Sequence, residues 1–92
     1  MNKIYLYIGS NNTTKKLEAN EAKKIISQYF DGFTAYEVIG YWKGHEEKTL
    51  KVEIITGNIE DPAIIKMVKE LKLQLDQEAI LIEKVISNCA FI

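Results

Sequence analysis

The sequence predicts a ferredoxin-like βαββαβ sandwich of the α+β class, a four-stranded antiparallel sheet with two helices on one face. Two observations carry that expectation. Strand, helix, strand occurs twice along the chain, because two helix-period segments are each flanked by strand-period ones. The 92 residues, 47% of them hydrophobic and fourteen of them Ile, suffice for one core and no more, since a chain of this size hides only about 60% of its extended surface. One domain over residues 1–92 is expected, without linker, repeat or low-complexity segment.

The first strand is predicted from Lys3 to Ile8, with Ile4, Leu6 and Ile8 on one face and Lys3, Tyr5 and Tyr7 on the other. Residues 9–14, Gly-Ser-Asn-Asn-Thr-Thr, form a polar loop rich in helix-capping side chains. Ala22, Ile25, Ile26 and Tyr29 then recur at helical spacing, which predicts a helix from about Leu17 to Phe30, stopped by Asp31-Gly32. A β-branched and aromatic run from Phe33 to Trp42 is the second strand; it turns through Lys43-Gly44-His45-Glu46 into a third, from about Thr49 to Thr56. Asp61-Pro62 combines a capping side chain with a preset dihedral and opens the second helix, whose buried stripe is Ile64, Val68, Leu71 and Leu75. The last strand runs from Ala79 to Val85, and the apolar tail 86–92 is expected to extend the pairing.

Charge and composition exclude several functions. The net charge is −1 and all twelve basic residues are lysine, so the guanidinium fork that reads guanine edges and grips phosphates bidentately is absent, and duplex DNA is not an expected partner. The single Cys89 cannot form an intrachain disulfide, and no apolar run is long enough for a membrane span. With no charged-then-apolar leader before the first strand, a cytoplasmic location is expected.

No catalytic constellation is present. Ser10, His45 and Cys89 have no partner at a spacing that would activate a nucleophile, and one His with one Cys cannot furnish a zinc site, so neither catalytic residues, metal nor cofactor is expected. Glu46-Glu47 and Glu60-Asp61 fit a hairpin tip and a helix start. Lys66, Lys69 and Lys72 form a ridge interrupted by Glu70, and the third strand lacks the aromatic motif of RNA-recognition domains. The loop from Ser10 to Lys16 is the best anion candidate, where backbone N–H groups, hydroxyls and a helix dipole could be joined by Lys15 or Lys16. The candidate ligand-binding residues are Ser10, Asn11, Lys15, Lys16, Trp42, Lys43 and His45.

The face of the sheet away from the helices should be polar in a monomer, yet aromatic and aliphatic residues fall on both faces of its strands. Tyr5, Tyr7, Tyr36, Val38 and Trp42 are the expected interface of a homo-oligomer.

Residues 32–41, Gly-Phe-Thr-Ala-Tyr-Glu-Val-Ile-Gly-Tyr, followed by Gly44-His45, resemble the second strand of PII-like signalling proteins, which build trimers from this fold and hold nucleotides between subunits. The long loop of that family between the second and third strands is missing, as is its glycine-rich phosphate loop, where Leu73-Gln74-Leu75-Asp76-Gln77 stands. Leu6-Tyr7-Ile8-Gly9, Gly32-Phe33-Thr34, Gly40-Tyr41-Trp42, Gln77 to Leu81 and Cys89-Ala90-Phe91 also resemble an uncharacterised family of small bacterial domains. The PII-like resemblance implies a trimer more directly than nucleotide binding. The expected function is a non-enzymatic, oligomeric binding protein for a small anionic ligand, with a nucleotide as one candidate. The alternative is a protein-interaction or inhibitor module that docks by its edge strand or its aromatic face.

Overall fold

A computed structural model describes residues 1–92. The elements in chain order are β1 (Asn2–Ile8), α1 (Ala19–Ser27), β2 (Thr34–Trp42), β3 (His45–Thr56), α2 (Pro62–Gln74) and β4 (Leu81–Val85). The four strands make one antiparallel sheet in the order β2-β3-β1-β4, which is the ferredoxin-like arrangement expected from the sequence.

Register explains the core. Ile4, Leu6 and Ile8 of β1 lie opposite Ile54, Val52 and Leu50 of β3, all buried, so these alternate positions form an unbroken apolar floor. Ala22, Ile25 and Ile26 of α1 and Ile64, Met67, Val68 and Leu71 of α2 close over it at helical spacing, completing with Leu75 a cluster of fourteen buried hydrophobic residues. The Asp61 carboxylate accepts from the N–H of Ala63 at 2.9 Å and Pro62 takes the first helical position, which satisfies one free donor and removes another.

Several boundaries differ from the sequence expectation. β3 begins at His45 rather than Thr49, because the chain reverses in the two residues Lys43 (φ 51°) and Gly44 (φ 79°). Positive dihedrals at both positions give the tight turn that matches strand twist. α1 is shorter at both ends, and its end is right-handed at Gln28, so Gly32 is not the left-handed helix exit the sequence suggested. β4 starts at Leu81, and the tail 86–92 adds no pairing: Ile86 and Phe91 are 86% and 78% exposed, although Cys89 Sγ reaches the Met1 carbonyl at 3.5 Å.

β1 pairs with β3 only as far as Ile8 and Leu50, whereas the β2–β3 pairing continues to Trp42 and His45. The end of that hairpin therefore stands clear of β1 as an arm, and the molecule measures 40 × 23 × 20 Å. No helix is long and apolar enough to cross a membrane.

Candidate functional site

The segment between β1 and α1 is closed on itself. Asn11 is buried; its side-chain oxygen accepts from the N–H groups of Thr13 (2.7 Å) and Thr14 (3.0 Å), and its amide donates to Glu18. Its backbone N–H reaches the Lys16 carbonyl at 2.9 Å, while Lys15, at φ 62°, donates back to the Asn11 carbonyl at 2.8 Å. Asn12 N–H bonds the Asp76 carbonyl, Ser10 N–H the Glu47 carboxylate at 3.2 Å, Gly9 N–H the Gln77 side chain, and Lys16 N–H the Thr14 hydroxyl.

Every backbone donor from Gly9 to Lys16 thus has a protein acceptor. This corrects the expectation of an anion cradle built from backbone amides and a helix dipole. α1 starts only at Ala19, so the loop does not lead directly into its first turn, and Glu18 at the cap makes no side-chain bond to the helix. Whatever charge this region offers comes from side chains.

Gln77 ties the loop to the rest of the molecule. α2 is capped by Leu75, Asp76 follows in the left-handed conformation at φ 47°, and the Gln77 N–H returns to the Lys72 carbonyl at 3.0 Å, a Schellman-type exit. That exit aims the Gln77 amide at the end of β1. Its oxygen accepts from Gly9 N–H at 3.1 Å, and its nitrogen donates to the carbonyls of Gly9, Ser10 and Leu75 at 3.0, 3.1 and 3.2 Å.

A third segment completes the region. Trp42 Nε1 donates to Glu78 at 3.3 Å, and Lys43 Nζ meets the same carboxylate at 2.8 Å, so the arm is latched to the start of the β4 approach. The Lys43 ammonium, with the Trp42 indole assisting, holds the Glu78 carboxyl below its ordinary range.

Between the loop, the arm and Glu78 lies a cleft of about 830 Å³. All seven candidate residues, Ser10, Asn11, Lys15, Lys16, Trp42, Lys43 and His45, line it, although 25 residues of sequence separate Lys16 from Trp42. Sequence reasoning did not select Lys48, Glu37, Glu47 and Glu78, which line it too. The cleft carries four lysines against four glutamates. Lys43 is matched by Glu78, and no carboxylate lies within ion-pair distance of Lys15, Lys16 or Lys48. No three His, Cys, Asp or Glu side chains gather as a metal site would require.

The five expected interface residues fall on the sheet face away from the helices, but that face is not purely apolar. Lys51 sits among Tyr5, Tyr7 and Tyr36, with Nζ 4.9, 5.3 and 5.8 Å from their ring centres. Hydrogen bonding to Tyr7, and then to Tyr36, outweighs desolvation and raises the Lys51 ammonium above the usual lysine value. Lys3 and Glu53 pair at 2.9 Å on the same face, and the Tyr7 hydroxyl donates to Glu83 at 3.3 Å. Val38 and Trp42 continue the face along β2, opposite Thr49 and His45.

No protein-family model and no curated protein sequence matches this chain. Solved structures do. A DUF3240 family protein from Shewanella baltica superposes with a TM-score of 0.63 at 14% identity, covering 99% of this chain and 96% of that one. A phage SAM lyase in its apo state gives 0.56 at 17% identity, over 90% of this chain and 78% of that one. The periplasmic divalent cation tolerance protein CutA from Archaeoglobus fulgidus gives 0.54 at 14% identity, over 97% and 87%. At these identities the likeness establishes the shared ferredoxin-like fold.

Proposed function

We propose that this chain is a non-enzymatic binding protein that works as a homo-oligomer, a trimer by the PII-like resemblance, and holds a small anionic ligand where the loop and the arm of one subunit meet a neighbour. The observation that carries this reading is the convergence of Lys15, Lys16 and Lys48, none of them ion-paired, on one cleft. An anion there gains charge-assisted contacts without first breaking an internal salt bridge. Trp42 offers a ring on which a planar group can stack. A nucleotide, including a signalling nucleotide, combines these two features.

A thermal-shift screen tests this. The panel holds inorganic phosphate, adenine and guanine nucleotides and cyclic dinucleotides, with S-adenosylmethionine, a net cation, added as a separate probe because one structural neighbour is a lyase of that compound. A ligand at a hundred times its Kd stabilises by about 2.7 kcal/mol, a shift of roughly 10–20 °C in a domain of this size. The Lys15→Ala/Lys16→Ala variant is expected to lose at least about tenfold in affinity for the anion that shifts the protein. Silence across the panel at millimolar concentration, or affinity unchanged in the variant, rejects the anion site.

One observation favours the alternative of a protein-interaction module. β2 lies at the edge of the sheet, and Ile39 and Tyr41 on its arm are 57% and 74% exposed, as a strand that accepts a partner strand would be. Under that reading Ile39→Lys abolishes partner binding and leaves any ligand-induced shift intact.

A further inference from the structure

Beside the lysine-bearing cleft lies a second hollow of about 440 Å³, lined by Tyr7, Tyr41, Trp42, Glu47, Glu78 and Leu81 among others. It has no lysine or histidine in its wall, whereas the neighbouring cleft has four lysines and a histidine. Trp42, Glu47 and Glu78 belong to both, so the two compartments adjoin.

Two glycines give the hollow its shape. A Cβ on Gly9 would stand 2.6 Å from the Glu47 carboxylate, and one on Gly40 would stand 2.6 Å from Thr49 Oγ1. Only bare backbone admits Glu47 to this position. There it is half-buried, and its partner is a single neutral donor, the Ser10 N–H at 3.2 Å. Glu78 is already neutralised by Lys43 at 2.8 Å, and no lysine or histidine lies within ion-pair distance of Glu47. A partly desolvated carboxylate without a counter-ion, beside Tyr7, Tyr41 and Trp42, favours a positive guest; Lys51 and Lys43 stand 5.3 and 5.9 Å from the Tyr7 and Trp42 ring centres, but neither lines the hollow. The rings select which one. A strongly hydrated inorganic ion needs several oxygen donors to replace its water, whereas a bulky organic cation is attracted by ring faces and needs little further coordination.

We propose that this hollow binds an organic cation of the quaternary ammonium type, with Glu47 supplying the countercharge and Trp42 and Tyr7 the ring faces. If the anion site proposed above also holds, a single ligand spanning both compartments is a zwitterion whose anion lies at Lys15, Lys16 and Lys48 and whose cation lies at Glu47. That second statement rests on the proposed function; the first does not.

Four probes separate the two by isothermal titration: choline, its uncharged isostere 3,3-dimethylbutan-1-ol, inorganic phosphate and phosphocholine. Choline is expected to bind about tenfold or more tightly than the isostere, because only the charge differs. Glu47→Gln keeps an acceptor for Ser10 and is expected to erase that preference, and Trp42→Leu to weaken choline as well. Lys15→Ala/Lys16→Ala leaves choline unchanged but removes the extra affinity of phosphocholine. Choline that binds no better than the isostere, or no binding of choline at tens of millimolar, overturns the cation site. A choline preference with phosphocholine no tighter than choline leaves the cation site standing and rejects the spanning zwitterion; no binding of inorganic phosphate rejects the anion site alone.

Discussion

Gln77 shows how one uncharged side chain can determine the shape of a site. Its amide satisfies the N–H of Gly9 and the carbonyls of Gly9, Ser10 and Leu75, all backbone groups in a half-buried region without another partner for Gly9 N–H. Removing it strands those groups, at a cost of about 1–3 kcal/mol for unsatisfied buried polar atoms. Gln77→Ala is expected to lower Tm by roughly 4–8 °C per kcal/mol lost, and to weaken any ligand of the cleft by freeing the loop that carries Lys15 and Lys16. Gln77→Glu, which keeps the size and the acceptor but loses the donor, is expected to destabilise nearly as much. A melting temperature unchanged in both variants would show that water replaces the amide without loss. In the sequence Gln77 is one polar residue after a helix, and nothing there reveals that a left-handed Asp76 turns it toward β1. Asn11, by contrast, is legible as a turn-forming residue, but its capture of the Thr13 and Thr14 donors takes the loop's backbone amides away from any anion and leaves only the side chains to receive one.

At the scale of the element, the arm depends on two residues with positive φ. Gly44 takes that conformation freely, but Lys43 bears the left-handed cost of a residue with a Cβ, about 1 kcal/mol or somewhat more, and its ion pair with Glu78 offsets part of it. Gly44→Ala is expected to destabilise by about 1 kcal/mol, measured by urea unfolding, because nothing crowds the new methyl and only the dihedral is wrong. Gly32→Ala, also uncrowded but without a positive φ, is the control, and should be neutral or stabilising by a few tenths to about 1 kcal/mol. Equal effects at the two sites would mean that the turn contributes no conformational constraint. The same turn lets β3 begin four residues before the Thr49 that the sequence predicts. Asn-Gly would have announced a two-residue reversal, whereas Lys-Gly followed by His and two Glu resembles a longer polar loop. α2 was legible because cap, proline and the Ile64, Val68, Leu71, Leu75 stripe all agree; α1 was overextended because Leu17 and Phe30 pack on the core without being helical. The cleft itself is not legible in the sequence, since only the register of the arm brings Trp42 and His45 to Lys15 and Lys16.

At the scale of the whole molecule, the chain exposes more surface than its mass requires. A compact 10.6 kDa protein has about 5,500 Å² of accessible surface and a radius of gyration near 12 Å, whereas this one has 6074 Å² and 13.1 Å. The arm and the exposed tail stand out from the body, and Ile39, Tyr41, Trp42, Leu81, Ile86 and Phe91 are among the large apolar side chains left outside, with Ile65 and Leu73 of α2 exposed as well. The open sheet face adds Tyr5, Tyr7 and Tyr36, but they surround Lys51, and the Lys3–Glu53 pair lies beside them. A second copy covering this face must desolvate that charge, which the three rings already partly compensate, so the interface expected is tyrosine-rich and polar rather than a dry core cut in half. Light scattering at micromolar concentration is therefore expected to give a multiple of 10.6 kDa. Tyr36→Asp, which removes one ring from around Lys51 and sets opposite it a carboxylate that a covering copy must desolvate, is expected to reduce it to the monomer mass; Lys66→Asp on the exposed side of α2 is not. A monomer mass for the unaltered protein at tens of micromolar would reject assembly and would remove the neighbour from the proposed anion site. The hollow at Glu47, formed within one subunit, would keep its predicted choline preference.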